Sequence, residues 1–505
     1  MKIEIMDTSL RDGEQTTGVS YTEKEKLSIA KVLLDDVKVD RIEIASARVS
    51  EGEYKAVESI IKWADKAGHI DKIEVLGFVD DMASLSWMDK AGAKVINLLC
   101  KGSEKHCREQ LRNTPEEHVA NIKKVITNTK KMGITVNVYL EDWSNGMRNS
   151  KDYVYFFINS LKDEGIKRFM LPDTLGILNP DETYEYCKDL VDKYPALHFD
   201  FHPHNDYDLA AGNIFCAINA GVKGVHTTVN GLGERAGNVP LSSVVAIIND
   251  HSDVETNVIE SKLNIVSRLV ESFSGIRIPA NKPIIGDHVF TQVSGIHADG
   301  DSKSNLYFND LLPERFGRIR EYALGKMSGK ASIKNNLEEL GIELTVEEMK
   351  KVTKRIIELG DKKEFISKED LPYIISDVLR TEKVDFRIKV KNFSLSVADG
   401  LKSVATLKLL IGKKEYEETS NGDGQYDAFM KALWKIYDKL GKPHPLLTDY
   451  FVTIPPGGRT DALVEAIITW KYNGKDIKTI GLDPDQTVAA IKATVKMLNI
   501  IENGK

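Results

Sequence analysis

Cysteine is scarce in this sequence. Four thiols, Cys100, Cys107, Cys187 and Cys216, are spread through 505 residues, and no two are spaced as C-x-x-C. A disulfide framework is excluded on that count. Long apolar runs are also missing. None approaches the ~20 residues of a membrane span, and the opening MKIEIMDTSLRDGEQ lacks the apolar core of a signal peptide. A cytoplasmic protein with no membrane association is expected. Positive charge is not in excess either, since 69 Lys and Arg face 76 Asp and Glu for a net charge of −7. Short basic clusters such as KKVITNTKK fall at helical spacing among apolar residues and read as solvated helix faces. With no basic stripe, no nucleic-acid partner is expected. What is present is enough apolar sequence, 42%, to build cores, in a chain too long for one ordinary domain.

Short β-branched or apolar segments recur through the first half: IEIMD, RIEIAS, KIEVLGFV, KVINLL, TVNVYLE, RFMLPD, LHFDFH and GVHTTVN. Amphipathic stretches such as TEKEKLSIAKVLLDDV separate them. This alternation predicts parallel pairing with helical crossovers, and eight units predict an α/β fold of the (β/α)8 TIM-barrel class. A doubly wound sheet is the alternative, but no G-x-G-x-x-G follows the first strand. The expected organisation is a catalytic barrel over 1–270, linker subdomains with a helical stretch over 271–383, and an α+β regulatory domain over 384–505. The strands expected in that last domain lie in DFRIKVKNFSLSV, VATLKLLIG, YFVTIPPGG and ALVEAIITW. No tandem repeat is evident within it.

Barrel chemistry sits where strands end, on the C-terminal face. The candidate strands lead into Arg11 and Asp12, Tyr139 and Glu141, Asp173 and Thr174, His202 and His204, then Glu234, Arg235 and Asn238. His202 and His204 stand two residues apart in HPHND, so both point to one side of the strand. With Asp12 they supply two imidazoles and a carboxylate, a Lewis-acid site that suits an oxo-acid and accepts Mg2+, Mn2+, Co2+ or Zn2+. The plainer alternative is two strand-end histidines bonded to water or backbone. Pro203 between them removes one backbone donor, which a strand end tolerates. Arg11 reads either as an ion-pair partner of Asp12 or as a guanidinium for negative oxygen beside a metal. Glu141 reads as a surface residue or a general base. His297 and Asp299, in GIHADG, read as a polar loop, or as acid/base groups if that loop reaches over a barrel mouth. Leu76, Leu99 and Tyr139 are core by default. If they line the mouth they favour a short substrate side chain, although one methylene is worth only about 1–3 kcal/mol. Cys100 has no neighbouring base and reads as a buried thiol.

Taken together, DTSLRDGEQTTGVSYT, HPHND, NGLGERAGNVPL and SGIHADG resemble the metal-dependent acyl-CoA condensing enzymes, the family of 2-isopropylmalate, homocitrate and citramalate synthases. The resemblance covers essentially the whole chain, since NGDGQYDAF and IPPGGRTDALVEAIITW are similar to the family's allosteric motifs. RIEIASARVSEGE, VYLEDWSNGMRNS and VFTQVSGIHADG look like the citramalate-forming branch. Pro203 is a departure, because the family commonly places a small residue there. The resemblance implies a divalent metal on Asp12, His202 and His204, assisted by Asn238, with acetyl-CoA as co-substrate and pyruvate as acceptor. Arg11 then stabilises the developing alkoxide, Thr174 holds the substrate carboxylate, and Glu141 is the base for the acetyl methyl. His297, Asp299 and Tyr307 are similar to residues delivered by the neighbouring subunit of a homodimer. Leu76, Leu99 and Tyr139 match positions that confine the acceptor to a methyl group. The implied product is citramalate, formed after thioester hydrolysis, on a route to isoleucine.

In the C-terminal domain Tyr426, Leu447, Tyr450, Ile454, Thr460 and Val464 match an effector pocket for a branched-chain amino acid, isoleucine in this branch. Ordinary dimer core is the alternative for these six. A second functional reading is 2-isopropylmalate synthase, acting on 2-oxoisovalerate with the same fold and metal. A third is a catalytically dead regulator, which predicts loss of a metal ligand or of Arg11, and all of these are kept. A related lyase shares the N-terminal motif but is not expected to carry this C-terminal domain.

Overall fold

The computed structural model describes residues 2–339, 342–361, 366, 368–379, 387–453 and 464–503. Eight parallel strands form a closed barrel in sequence order: β1 (Glu4–Asp7), β2 (Arg41–Ser46), β3 (Ile73–Phe78), β4 (Val95–Lys101), β5 (Thr135–Glu141), β6 (Arg168–Asp173), β7 (Phe199–Pro203) and β8 (Gly224–Thr227), with β8 returning to β1. The expected TIM-type barrel is therefore observed, and the doubly wound alternative is not. Helices α1 (Glu23–Lys31), α2 (Glu51–Ala67), α3 (Ala83–Ala91), α4 (Pro115–Met132), α5 (Trp143–Asn149), α6 (Lys151–Leu161), α7 (Pro180–Lys193), α8 (Ala210–Ala220), α9 (Leu241–His251) and α10 (Leu263–Ser274) follow the strands. Their ends are written in the sequence. Capping boxes pair Thr22 with Glu25, Thr114 with Glu117 and Asn179 with Glu182, satisfying N–H groups that a helix start leaves open. Prolines 115 and 180 sit at first-turn positions where a missing N–H costs nothing.

Side chains alternate along each strand. Ile5, Ile42, Ile44, Val75, Leu98, Val138, Leu171 and Phe201 join the main apolar core with the helices. The opposite parity carries buried polar residues that bond to one another, beside an apolar set of Met6, Leu76, Tyr139 and Met170. Arg41 donates to Glu74 at 2.9 Å and to Asp200 at 2.6 Å. Asn97 donates to Glu43 at 2.7 Å and accepts from Asn137 at 2.9 Å. These interior polar groups are thus largely paired with one another, as a low dielectric favours.

Lys26 of α1 is fully buried. Its ammonium pairs with Glu14 and Glu53, each at 2.6 Å, and donates to the carbonyls of Leu10 and Ile44 at 3.0 and 3.3 Å. It pins the turn after β1 to the end of β2 and to α2. Lys26→Met is expected to destabilise the protein by about 3–5 kcal/mol, because both carboxylates lose their cation. Thermal melting followed by circular dichroism checks this, and an unchanged melting temperature would refute it.

The chain divides into two compact units, Met1–Phe290 with Phe308–Arg320, and Thr291–Tyr307 with Glu321–Lys505. In the second unit, short strands β9 (Thr291–Gln292) and β10 (Glu321–Tyr322) pair, and α11 (Gly295–Ser304) carries the SGIHADG motif. Helices α12 (Lys330–Glu339), α13 (Val346–Asp361) and α14 (Leu371–Leu379) share an apolar core of Ile333, Leu337, Val352, Ile356 and Leu371. Two three-stranded antiparallel sheets follow. The first holds β11 (Ile388–Ser396), β12 (Ser403–Ile411) and β13 (Lys414–Gly422), and the second holds β14 (Leu446–Thr453), β15 (Val464–Tyr472) and β16 (Lys475–Asp483). Each runs into one long helix, α15 (Gln425–Lys439) or α16 (Gln486–Asn503).

These two β-β-β-α units have the same topology, which corrects the expectation of no repeat. Strands β13 and β16 also escaped the sequence reading. KEYEETSNG and KDIKTIGLD are dominated by polar and charged residues, so their weak apolar periodicity gives no strand signal. Pairing with the central strand of each sheet decides them.

Candidate metal centre and active site

The turn after β1 presents two charged side chains. The N–H groups of Arg11 and Asp12 both bond to the carbonyl of Thr8, at 3.1 and 2.8 Å. Ser9 accepts from the N–H of Val229 at 2.7 Å, tying the turn to the segment after β8. Asp12 is buried, and its Oδ2 lies 3.0 Å from His202 Nε2 and 3.8 Å from His204 Nε2. His202 comes from β7 and His204 lies one residue beyond it. One ligand atom from each of these three residues lies within 4.8 Å of the others.

The chemistry of this donor set fits a divalent cation. Asp12 Oδ2 has no hydrogen-bond partner despite those short distances. Donor atoms that converge without bonding to one another are arranged as ligands are. Burial raises the Asp12 carboxyl, but Arg11 and the two histidines outweigh it and hold the group well below the usual carboxylate range. Burial pushes His204 down to about 4, so it is neutral, as a ligand must be. Asn238 pairs with His204 through a backbone bridge. Its side-chain amide donates to the carbonyl of Leu232 at 3.1 Å, and its buried Oδ1 has no partner. Gly233 makes this possible: its φ is +149°, and a Cβ there would lie 2.2 Å from Asn238 Nδ2.

Arg11 reaches across the barrel. Its Nε donates to Glu43 at 2.5 Å, Nη1 lies 3.5 Å from Asp12 Oδ2, and Nη2 is 3.5 Å from the Tyr139 hydroxyl. Tyr139 packs edge-on against His202, with ring centroids 5.8 Å apart. It also belongs to a small apolar cluster with Met6, Leu76, Met170 and the partly buried Leu99, separate from the main core. Leu76, Leu99 and Tyr139 therefore share one cluster, and Tyr139 joins it to Arg11 and His202.

Other candidates are differently engaged. Glu141 forms an ion pair through Oε2 with Lys101. The Thr174 hydroxyl accepts from the N–H of Asp142 at 2.9 Å. Asp173 is a loop staple, accepting from the N–H groups of Ile177 and Leu178. Arg235 forks onto Asp206 at 2.8 and 2.9 Å and donates to the carbonyl of Thr174, joining the loops after β6, β7 and β8. Cys100 is buried, and burial raises its thiol.

His297, Asp299 and Tyr307 belong to the second unit. There the His297 and Tyr307 rings lie 4.1 Å apart. A Cβ at Gly300 would stand 2.6 Å from the Tyr307 ring, so a side chain there would displace the ring. Asp299 pairs with Lys303 at 2.6 Å. Of the effector candidates, Tyr426 and Tyr450 face each other at 5.2 Å, and the Tyr426 hydroxyl shares a hydrogen bond with Thr494 at 2.7 Å. Leu447 lies on β14 with Tyr450, and Val464 is buried at the start of β15. Ile454 and Thr460 lie outside the described residues.

The residues that sequence reasoning missed are Glu43, Lys101, Asp200 and His226. A signal existed. In RIEIAS, LHFDFH and GVHTTV the polar residues alternate with apolar ones, so they share the inward parity with the ligands. Among the described residues no helix is long and apolar enough to cross a membrane.

Comparison with known proteins gives three family matches. A model described as HMGL-like matches residues 2–270, one described as homocitrate synthase post-HMGL domain-like matches 284–364, and one described as LeuA allosteric (dimerisation) domain matches 365–502. The chain is similar to an (R)-citramalate synthase of Methanocaldococcus jannaschii, 32% identical over the whole of both proteins. It is similar to a 2-isopropylmalate synthase of the same organism, also 32% identical, over 99% of this chain and 95% of that one. A 2-isopropylmalate synthase of Aquifex aeolicus matches at 32%, over 99% and 95%.

Proposed function

The chain belongs to the HMGL-like family of metal-dependent condensing synthases, and from that premise we propose that it condenses acetyl-CoA with pyruvate and releases citramalate and CoA. Overall identity cannot choose the acceptor, because relatives with two different names match equally well. The observation that carries the proposal is the apolar cluster of Leu76, Leu99, Tyr139, Met6 and Met170, which Tyr139 joins to Arg11 and His202. A pocket walled by those side chains beside the metal ligands takes a methyl group in preference to an isopropyl group.

Asp12, His202 and His204, with Asn238, would hold a divalent ion, which supplies a Lewis acid toward the keto and carboxylate oxygens of the acceptor. Arg11 holds the negative charge that develops on the keto oxygen. Thr174 positions the acceptor carboxylate. Glu141, oriented by Lys101 through one oxygen, takes the proton from the acetyl methyl. His297, Asp299 and Tyr307 act from a second copy of the chain as the remaining acid/base groups. Hydrolysis of the thioester then makes the condensation effectively irreversible. Feedback by isoleucine at the C-terminal domain is the regulatory part of the same proposal.

The test is CoA release with acetyl-CoA and Mn2+, comparing pyruvate with 2-oxoisovalerate. A kcat/KM in favour of pyruvate is expected. Preference for 2-oxoisovalerate would overturn the choice of acceptor and leave the family intact. Leu76→Ala is expected to shift the ratio toward 2-oxoisovalerate by about 10-fold or more, the scale of one or two methylenes. An unchanged ratio would remove Leu76 from the pocket.

A further inference from the structure

His226 stands where the metal ligands and the pocket wall meet, and the function above gives it no role. It is buried on β8, on the inward parity of the barrel. Its Nε2 lies 3.1 Å from Asp200 Oδ2. Its Nδ1 lies 3.2 Å from His202 Nδ1 and 3.1 Å from the Tyr139 hydroxyl. We propose that His226 is a positioning residue: it fixes which nitrogen of His202 carries the proton, and so which one faces the metal, while holding Tyr139 in the pocket wall. This rests on the assignment of His202 as a metal ligand.

The argument runs through donors and acceptors. Asp200 is fully buried against Arg41, 2.6 Å from Nη2, and its other oxygen lies 2.9 Å from His198 Nε2. A carboxylate against a guanidinium accepts hydrogen bonds and donates none. The proton between Asp200 and His226 therefore sits on His226 Nε2. A buried neutral imidazole has one N–H, so its Nδ1 is bare and can only accept. Tyr139 meets this need from one side. Its hydroxyl oxygen faces the donor Nη2 of Arg11 at 3.5 Å, which leaves the O–H for His226.

His202 shares the same single lone pair with Tyr139 in a three-centre arrangement. Two bare nitrogens at 3.2 Å would repel, so His202 Nδ1 carries a proton and donates it. A ligand imidazole is neutral, so in the metal-loaded site the lone pair of His202 would be on Nε2, the nitrogen 3.0 Å from Asp12 Oδ2. Ligand histidines generally hand their outer N–H to a carboxylate or carbonyl, which sets tautomer and ring orientation. Here a second histidine stands between ligand and carboxylate, and the same atom holds a pocket wall. The chain Arg41–Asp200–His226 thereby acts on the ligand and on the pocket together.

Two substitutions separate this role from simple packing. His226→Asn keeps an acceptor oxygen near the Nδ1 position and loses the donor to Asp200. His226→Gln keeps a donor near Nε2 and loses the acceptor. Mn2+ binding is followed by electron paramagnetic resonance on the full-length wild type, His226→Asn, His226→Gln and Asp12→Asn. The wild type is expected to bind one ion per chain and Asp12→Asn none. His226→Asn should stay within about 3-fold of the wild type, and His226→Gln should weaken binding about 10- to 100-fold. Equal binding by wild type and Asp12→Asn overturns the metal assignment itself, and the proposal with it. Equal affinities for the two His226 variants, or the reverse order, overturn the proposal while leaving the metal site standing. Should His226→Gln fail to fold, 15N resonances of His202 in the Mg2+-loaded wild type decide: a protonated Nδ1 is expected, and a protonated Nε2 overturns it.

Discussion

Asp12→Ala is expected to eliminate CoA release and stoichiometric Mn2+ binding together, with the fold preserved. Asp12 is the only carboxylate in the cluster that brings it together with His202 and His204 among the described residues. Two imidazoles without it offer no negative charge to a hard divalent cation. Burial makes the loss larger, because no water-rich surface is at hand to replace the ligand. The turn itself should survive, since Asp12 contributes to it through its backbone N–H, which bonds to Thr8. Calorimetric titration with Mn2+ and the thiol assay for CoA are the two readouts. Full activity in this variant would sink the metal assignment, and binding without activity would place the ion elsewhere.

Arg11→Gln should separate the two readouts, with turnover strongly reduced and metal binding retained. Arg11 is the donor poised between Asp12, Glu43 and Tyr139. Removing one donor aimed at developing negative oxygen typically costs about 10²- to 10³-fold in kcat. The guanidinium also sits 3.5 Å from Asp12 Oδ2, where it competes with a cation for the same carboxylate. Its removal should leave Mn2+ affinity unchanged or tighter. Glu43, fully buried, loses its cation, so a lower melting temperature is expected alongside. Burial already raises the Glu43 carboxyl, with Arg11 opposing that shift. The variant therefore favours a protonated Glu43. A kcat within 3-fold of wild type would remove Arg11 from the chemistry, whatever the stability change.

The barrel was legible because its signals are local. Eight apolar segments separated by amphipathic stretches specify parallel strands with helical crossovers, and strand ends then indicate the side on which chemistry collects. Asp12, His202 and His204 could be grouped from sequence by that rule alone, although 190 residues separate the first from the second. The duplicated β-β-β-α units were not legible. β13 and β16 lack an apolar rhythm of their own, and only pairing with β12 and β15 makes them strands.

The sequence by itself determined the fold class, the identity of the metal-ligand candidates and the membership of a condensing family, because motif spacing and hydrophobic periodicity survive in one dimension. Tertiary structure decided what the inward-facing polar residues do. Glu43 meets Arg11, Lys101 meets Glu141, and His226 joins Asp200 to His202 and Tyr139. Those contacts arise when β1, β2, β4, β5, β7 and β8 are closed around one axis. Closure brings distant polar groups within hydrogen-bond distance inside a medium that favours pairing, and no property of a single strand announces which partner that will be.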